Sequence, residues 1–226
     1  MKITVLTIFD EFFTNFLSTS IIKNAIDNKL VKIEIVDFRQ FSKNKFHKVD
    51  DTPYGGGPGM VLALQPIVDA INHYKTALTK TILLTPSGKR YDQQLAYNLK
   101  DFYHLILICG HYEGFDERIN NYIDLQISIG DYILTGGEIA AMVLMDSIIR
   151  LIPNVISKSS LVDESFENNL LDYPNYTKPA NFNGYQVPEV LLNGHHQKIN
   201  KFRFQKQLEK TQNHRIDLYK KYLEKG

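Results

Sequence analysis

A chain of 226 residues is long enough for one large domain, or for a domain of about 150 residues with a small companion, and should bury roughly 70% of its unfolded surface. Hydrophobic residues at 43% and charged residues at 23% exclude wholesale disorder, collagen-like repeats and disulfide scaffolds. The net charge of +1 is unevenly placed: from His195 onward nine Lys and Arg face three Asp and Glu, while the rest of the chain is net acidic.

In chain order, residues 2–9 and 31–38 run apolar with β-branched side chains and read as strands. Between them residues 11–30 carry helical spacing at Phe12, Phe16, Ile22 and Ile26, so the chain opens with a strand, helix, strand unit. Asp10 comes too soon for a secretory leader, and the expected location is the cytoplasm. A basic stretch, Arg39-Gln-Phe-Ser-Lys-Asn-Lys-Phe-His-Lys48, interleaves cations with aromatics, a mixture suited to phosphates and bases, although an ordinary solvated loop carries such charge equally well. It leads into Tyr54-Gly-Gly-Gly-Pro-Gly-Met60, where three glycines before a proline are costly unless the backbone bends sharply or lies against a ligand or a second subunit; a flexible hinge is the plainer explanation.

Residues 66–74 predict a helix, 81–85 a buried strand, 91–100 a helix, and 105–109 a second buried strand. That strand ends in Cys109, the one cysteine of the chain, which excludes an internal disulfide and fits a buried structural thiol in a reducing compartment. A further strand at 125–129 precedes an apolar helix at 137–151. Strands alternating with helices predict an α/β fold with a mostly parallel sheet covered on both faces. The longest apolar stretch, 140–152, is interrupted by Asp146 and Arg150 and falls short of the roughly 18 residues a membrane span requires. From Pro153 to Val190 prolines sit among Ser, Asn and Asp with little periodicity, as in a linker or a long functional loop. Residues 198–223 return to helical spacing with strongly polar faces, a small α-helical C-terminal domain.

Three glycine-bearing turns are expected directly after strands: Thr85-Pro-Ser-Gly88, Cys109-Gly-His-Tyr-Glu-Gly114 and Ile129-Gly-Asp-Tyr-Ile-Leu-Thr-Gly-Gly137. Ligands of parallel sheets bind beyond the strand C-termini, so three such turns in series point to one pocket, whereas any one alone could be a tight connection. The pocket follows no common nucleotide motif: no G-x-G-x-x-G follows a strand, and Ser87-Gly-Lys-Arg90 lacks the spacing and hydroxyl of a P-loop. The sequence contains no H-E-x-x-H, paired C-x-x-C or G-x-S-x-G, which removes support for zinc peptidase, zinc-finger and serine-hydrolase chemistry. His195-His196 could ligate a metal but more commonly marks a turn or a phosphate contact. Asp146 and Arg150 stand i,i+4 and default to a salt pair, though a cation there could instead stabilise charge developing on a substrate oxygen. Asp163-Glu-Ser-Phe166 sets two carboxylates side by side, by themselves an ordinary acidic turn.

Taken together, Tyr54-Gly-Gly-Gly-Pro-Gly-Met60, Cys109-Gly-His-Tyr-Glu-Gly114, Ser128-Ile-Gly-Asp-Tyr-Ile-Leu-Thr-Gly-Gly-Glu138 and Leu170-Leu-Asp-Tyr-Pro-Asn-Tyr-Thr-Lys-Pro179, followed by Gly194-His-His196, resemble in order the bacterial tRNA (guanine-N1)-methyltransferase family of the SPOUT superfamily. The resemblance implies methyl transfer from S-adenosylmethionine to N1 of the guanosine immediately 3′ of the tRNA anticodon, by a cytoplasmic homodimer whose active sites are shared between subunits. It implies a knotted cofactor-binding α/β domain over residues 1–155 with a deep trefoil knot, an interdomain linker and active-site loop over 156–190, and a helical, basic tRNA-binding domain over 191–226. By position the cofactor would be held by Leu84, Pro86, Gly110, Tyr112, Glu113, Gly114, Ile129, Gly130, Asp131, Tyr132, Ile133, Leu134, Gly136 and Gly137, and the RNA by Asp172, His195, Lys201, Arg203 and Lys206.

Guanine N1 carries a proton at neutral pH, so its methylation needs a base at N1 and positive charge near O6. Arg150 matches the family's arginine for the second role. The family's base is an aspartate directly before Ser-Phe; here that place holds Glu164, with Asp163 one residue earlier. Either Glu164 reaches the same proton with its longer stem or a one-residue shift delivers Asp163, and Glu164 is the favoured of the two. Family activity is also linked to Mg2+, for which no residue spacing supplies a dedicated site. The departure at Glu164 leaves open a SPOUT enzyme acting at another RNA position, or an RNA-binding relative without catalysis.

Overall fold

Short aliphatic and β-branched runs separated by helices build the first part of the computed structural model, which describes residues 1–157 and 164–225. The chain divides into two compact units, Met1–Ile156 and Ser157–Gly226. In order, the first comprises β1 (Lys2–Thr7), α1 (Thr14–Leu17), α2 (Ser20–Asp27), β2 (Lys32–Asp37), β3 (Asp50–Asp51), β4 (Val61–Leu62), α3 (Leu64–Tyr74), β5 (Thr79–Arg90), α4 (Gln93–Leu99), β6 (His104–Ile108), β7 (Leu125–Ser128) and α5 (Glu138–Ile149).

Five of these strands form one sheet in the order β2-β1-β6-β5-β7, every neighbouring pair parallel, as the alternation of elements predicts. Successive side chains of a strand point to opposite faces. Leu6, Val36, Leu83, Ile106 and Ile108 pack on one face with Ile67, Ala70 and Ile71 of α3, whose buried positions recur at helical spacing. On the helix α5 the positions Ala141, Leu144, Met145, Ile148 and Ile149 are buried, and α5 packs against α2 and α4.

A buried histidine ties the centre of the sheet. His104 on β6 bonds Thr4 Oγ1 through Nε2 and Thr79 Oγ1 through Nδ1, each at 2.9 Å, so both ring nitrogens are matched by the two neighbouring strands. Burial, reinforced by the Lys2 charge, lowers its pKa from the ordinary 6.5 to about 4, although Glu34 pulls the other way.

The structure corrects two local expectations in this unit. Residues 11–30 are not one helix but a 3-10 turn (Asp10–Phe13), α1 and α2. The hydroxyls of Ser18 and Thr19 both donate to the Asn15 carbonyl, at 2.9 and 2.6 Å, and Ser20 adopts φ +29°, so local side-chain bonds displace the helical ladder. Nor is Thr85-Pro-Ser-Gly88 a turn after a strand. It lies within β5 as an outward bulge: Leu84 and Lys89 both register with Ile127, and the four residues between them loop out of the ladder.

The second unit contains a small hairpin of β8 (Asn181–Phe182) and β9 (Tyr185–Gln186), followed by α6 (His196–His214) and α7 (Ile216–Lys225). The helical spacing expected over 198–223 thus breaks at Arg215, where φ −141° and ψ 66° end α6. α6 and α7 pack together. Thr211, fully buried on α6, accepts the Leu171 amide at 2.9 Å and donates to the Gln207 carbonyl at 2.7 Å, which ties the irregular segment before the hairpin to the helix.

Candidate functional site

The bulge of β5 and the loops that leave β6 and β7 converge beyond the strand C-termini, where parallel sheets bind ligands. They enclose a cavity of about 340 Å³. Thirteen of the fourteen residues expected to hold a cofactor line it: Leu84, Pro86, Gly110, Tyr112, Glu113, Gly114, Ile129, Gly130, Tyr132, Ile133, Leu134, Gly136 and Gly137. Asp131 is exposed and lies outside the lining. Thr85, His111, Ile127, Ser128, Thr135 and Ala140 complete the walls.

Two of the loops touch backbone to backbone. The Gly137 amide donates to the Gly110 carbonyl at 2.9 Å, and a Cβ on Gly137 would stand 2.7 Å from Cys109 Cα and 2.8 Å from Gly110 N. A Cβ on Gly136 would collide with the His111 ring and the Glu138 carboxylate. The glycines are therefore fixed by close approach, the condition under which backbone rather than side chains forms a pocket wall. Cys109 beneath them is fully buried, and burial together with the nearby Glu138 charge raises its thiol pKa, so it is held as an unreactive thiol.

Behind the wall lies a buried polar chain. Glu138, 1% exposed, accepts from Thr7 Oγ1 at 2.6 Å and from His111 Nε2 at 2.7 Å. Thr7 Oγ1 in turn accepts the Phe9 amide at 3.0 Å, and the Phe9 ring packs on the His111 ring with centroids 4.6 Å apart. A buried carboxylate is tolerated when its oxygens are bonded in this way, and the bonds clamp the 110–114 loop to the start of α5. Sequence alone does not mark this trio. His111 and Glu138 lie inside motifs quoted for the resemblance, whereas Thr7 carries no signal, because only the fold brings it across 131 residues to Glu138.

The glycine run is the tip of a hairpin between β3 and β4, which pair antiparallel. Gly55, Gly56, Gly57 and Gly59 have φ of +88°, +76°, +124° and +83°, so the run exists because the turn needs left-handed backbone. Its far end joins the site: the Glu113 amide donates to the Met60 carbonyl at 2.9 Å, and the Leu62 amide to the Gly114 carbonyl at 2.9 Å.

Of the residues expected to act on substrate, Arg150 caps α5, its amide bonding the Asp146 carbonyl at 3.3 Å, and is half-buried. Glu164, in the second unit, is half-buried as well, and Asp163 lies outside the described residues. Next to Glu164, Ser165 Oγ accepts the Asp172 amide at 3.0 Å. His195 sits exposed at the start of α6, and Lys201 is exposed on it. Lys206 pairs with Glu209, and the Arg203 guanidinium lies 4.6 Å from the Tyr173 ring centroid. Among the described residues no group of three or more His, Cys, Asp or Glu side chains is placed to hold a metal ion. No helix among them is long and apolar enough to cross a membrane.

A family model described as tRNA (Guanine-1)-methyltransferase TrmD matches residues 1–221. A tRNA (guanine-N(1)-)-methyltransferase of Malacoplasma penetrans is 70% identical over 226 residues, covering all of both chains. Proteins of the same name from Mycoplasmopsis pulmonis and Borrelia duttonii are 54% and 50% identical over 98% and 99% of this chain, and over 98% and 95% of their own.

Proposed function

The chain belongs to the tRNA (guanine-1)-methyltransferase family and is a tRNA (guanine-N1)-methyltransferase, and on that premise we propose that S-adenosylmethionine is its methyl donor and that the guanosine immediately 3′ of the anticodon is its target. The observation that carries the proposal is the convergence of the β5 bulge and the 110–114 and 129–137 loops on one cavity.

The residues there fit such a donor. Leu84, Ile127, Ile129, Leu134 and Ala140 offer apolar surface for a flat heterocycle, while the glycine-rich loops offer backbone donors and acceptors for its polar parts. The cradle between Gly136-Gly137 and Cys109-Gly110-His111 would be filled by any added Cβ, which explains why no side chain occupies it. When bound, S-adenosylmethionine supplies a methyl group on a positively charged sulfur.

We assign Glu164 the role of base: its carboxylate takes the proton from guanine N1, freeing the nitrogen lone pair for the methyl group. Arg150 holds the negative charge that then develops at O6. The buried Thr7, Glu138 and His111 chain keeps the cofactor wall in place. We further propose that the wall-forming loops are drawn through a deep trefoil knot, supported by the return of residues 136–137 onto 109–110 at backbone contact. Residues 1–155, 156–190 and 191–226 are assigned as cofactor domain, linker with active-site loop, and tRNA-binding domain, in a cytoplasmic homodimer with shared sites. Asp172, His195, Lys201, Arg203 and Lys206 are assigned to tRNA. The relatives share the guanine-N1 name, which disfavours both another RNA position and a non-catalytic RNA binder.

A radiolabelled methyl-transfer assay with unmodified tRNA transcripts tests the proposal. Incorporation into a transcript with guanosine 3′ of the anticodon and not into one with adenosine there is expected. Incorporation into neither, with the cofactor still bound, would refute the assigned target and base.

A further inference from the structure

The second unit carries a cavity of its own, of about 270 Å³, that the chemistry above leaves unused. It is lined by Tyr173 and Tyr176, by aliphatic residues including Leu191 and Ile199, and by two cationic residues, Lys178 and Arg203. Among the described residues no acid lines it. Arg203 is not extended toward solvent as a phosphate contact would be: its guanidinium lies over the Tyr173 ring at 4.6 Å, within the range of a cation–π contact. Tyr176 remains 46% exposed despite lining the cavity.

Each of these features selects the occupant. Aromatic faces with an aliphatic interior favour a flat, weakly polar ring, and stacking on such faces tolerates any base because every base has a π surface. Two cations without a carboxylate favour a ring that arrives on a negatively charged tether. A peptide would satisfy the first condition but not the second, unless it were acidic. The substrate of this enzyme, a polyanion whose loop bases can unstack, satisfies both.

We propose that this cavity receives an unstacked nucleobase of the tRNA anticodon loop, other than the guanine that is methylated, stacked on Tyr173 and its bound Arg203. The proposal rests on tRNA being the substrate. It makes Arg203 part of a stacking platform and gives the second unit a contact that reads loop shape rather than charge alone.

A coupling cycle between protein and RNA tests it. Affinities of the full-length protein and of Tyr173→Leu are measured for intact tRNA and for a series of transcripts with one abasic nucleotide in turn along the anticodon loop. Loss of one stacked base should weaken binding by roughly tenfold. At one position the abasic loss seen with the unaltered protein should vanish in Tyr173→Leu, because both changes remove the same contact. The salt dependence of Tyr173→Leu should keep its slope, since no phosphate contact is lost. Arg203→Lys, which keeps the charge but not the planar group, should show the same coupling.

Losses that add at every position, in a variant whose thermal unfolding matches the parent, would overturn the proposal and leave the cavity as packing. If Tyr173→Leu does not fold, Tyr176→Leu carries the same cycle on the more exposed ring. Guanosine monophosphate is titrated in parallel; nucleotide binding that Tyr173→Leu abolishes but that leaves the affinity for tRNA unchanged would make a free nucleotide the occupant and also overturn it. Methyl transfer to the intact transcript is followed in the same samples. Turnover without coupling defeats this inference alone, whereas absence of both tRNA binding and turnover defeats the functional assignment and takes this inference with it.

Discussion

Replacing Gly137 by alanine separates two effects that this site sets against each other. Gly137 has φ −82° and ψ −7°, ordinary right-handed backbone that alanine adopts freely, and it directly precedes α5. On backbone entropy alone the substitution should stabilise the protein by about 0.4–1 kcal/mol. Against this, the new Cβ would meet Cys109 Cα at 2.7 Å, Gly110 N at 2.8 Å and Cys109 Cβ at 3.1 Å. Two of those atoms are backbone at the end of a central strand, and the strand cannot yield cheaply: Cys109 is fully buried and its amide donates to the Leu6 carbonyl at 2.9 Å. Overpacking of this kind costs about 1–3 kcal/mol and should exceed the entropic gain. The 129–137 loop must then move away, loosening the Gly137 to Gly110 hydrogen bond and opening the cavity wall. A net loss of roughly 1–2 kcal/mol should lower Tm by about 2–8 °C for a chain of this size. Urea unfolding would measure the stability, and calorimetric titration with S-adenosylmethionine should show weakened binding. Gly137→Ala that is as stable as the parent and binds the cofactor equally well would refute the idea that this contact sets the pocket.

Three further outcomes are expected. His104 is held at about 4 when folded against an ordinary 6.5, so the unfolded chain binds its proton more readily; stability is full above pH 6.5 and falls as pH drops toward 4, by up to roughly 3 kcal/mol. Urea midpoints between pH 7 and 4 should fall less steeply in His104→Gln, and an identical profile would remove His104 as the cause. Glu164→Gln should abolish turnover while leaving calorimetric cofactor affinity intact, whereas Asp163→Asn should retain turnover; the reverse pattern would move the base to Asp163. Alanine at the exposed Lys201 should flatten the log-log salt dependence of tRNA binding by roughly one or slightly less, and alanine at Lys206, already paired with Glu209, by less. Equal slopes for the parent and Lys201→Ala would return α6 to a merely solvated helix.

The alternation of elements was legible because each strand of a covered parallel sheet is apolar on both faces, and runs such as Leu105-Ile-Leu-Ile-Cys109 stand out from the amphipathic helices between them. The bulge at 85–88 was not legible, since Thr-Pro-Ser-Gly has the composition of a turn, and only pairing with β7 on both sides keeps it within a strand. The break between α1 and α2 was equally hidden, because the apolar spacing continues across Ser18 and Thr19 while their hydroxyls compete for the Asn15 carbonyl.

By itself the sequence determined the parallel α/β class and the place of one pocket, because glycines in loops leave a local mark, and its ordered motifs, through the resemblance they carry, pointed to the family and to thirteen of the nineteen residues that line the cavity. Only the tertiary structure decided which groups share the site. Thr7 reaches Glu138 and Gly137 reaches Cys109 through the folding of β1, β6 and α5 onto one another, and Arg203 is taken up by Tyr173 through the packing of α6 on the segment before β8. Periodicity reports which face of an element is buried; what that face meets depends on elements distant in the chain, and on distances of a few ångströms that no spacing encodes.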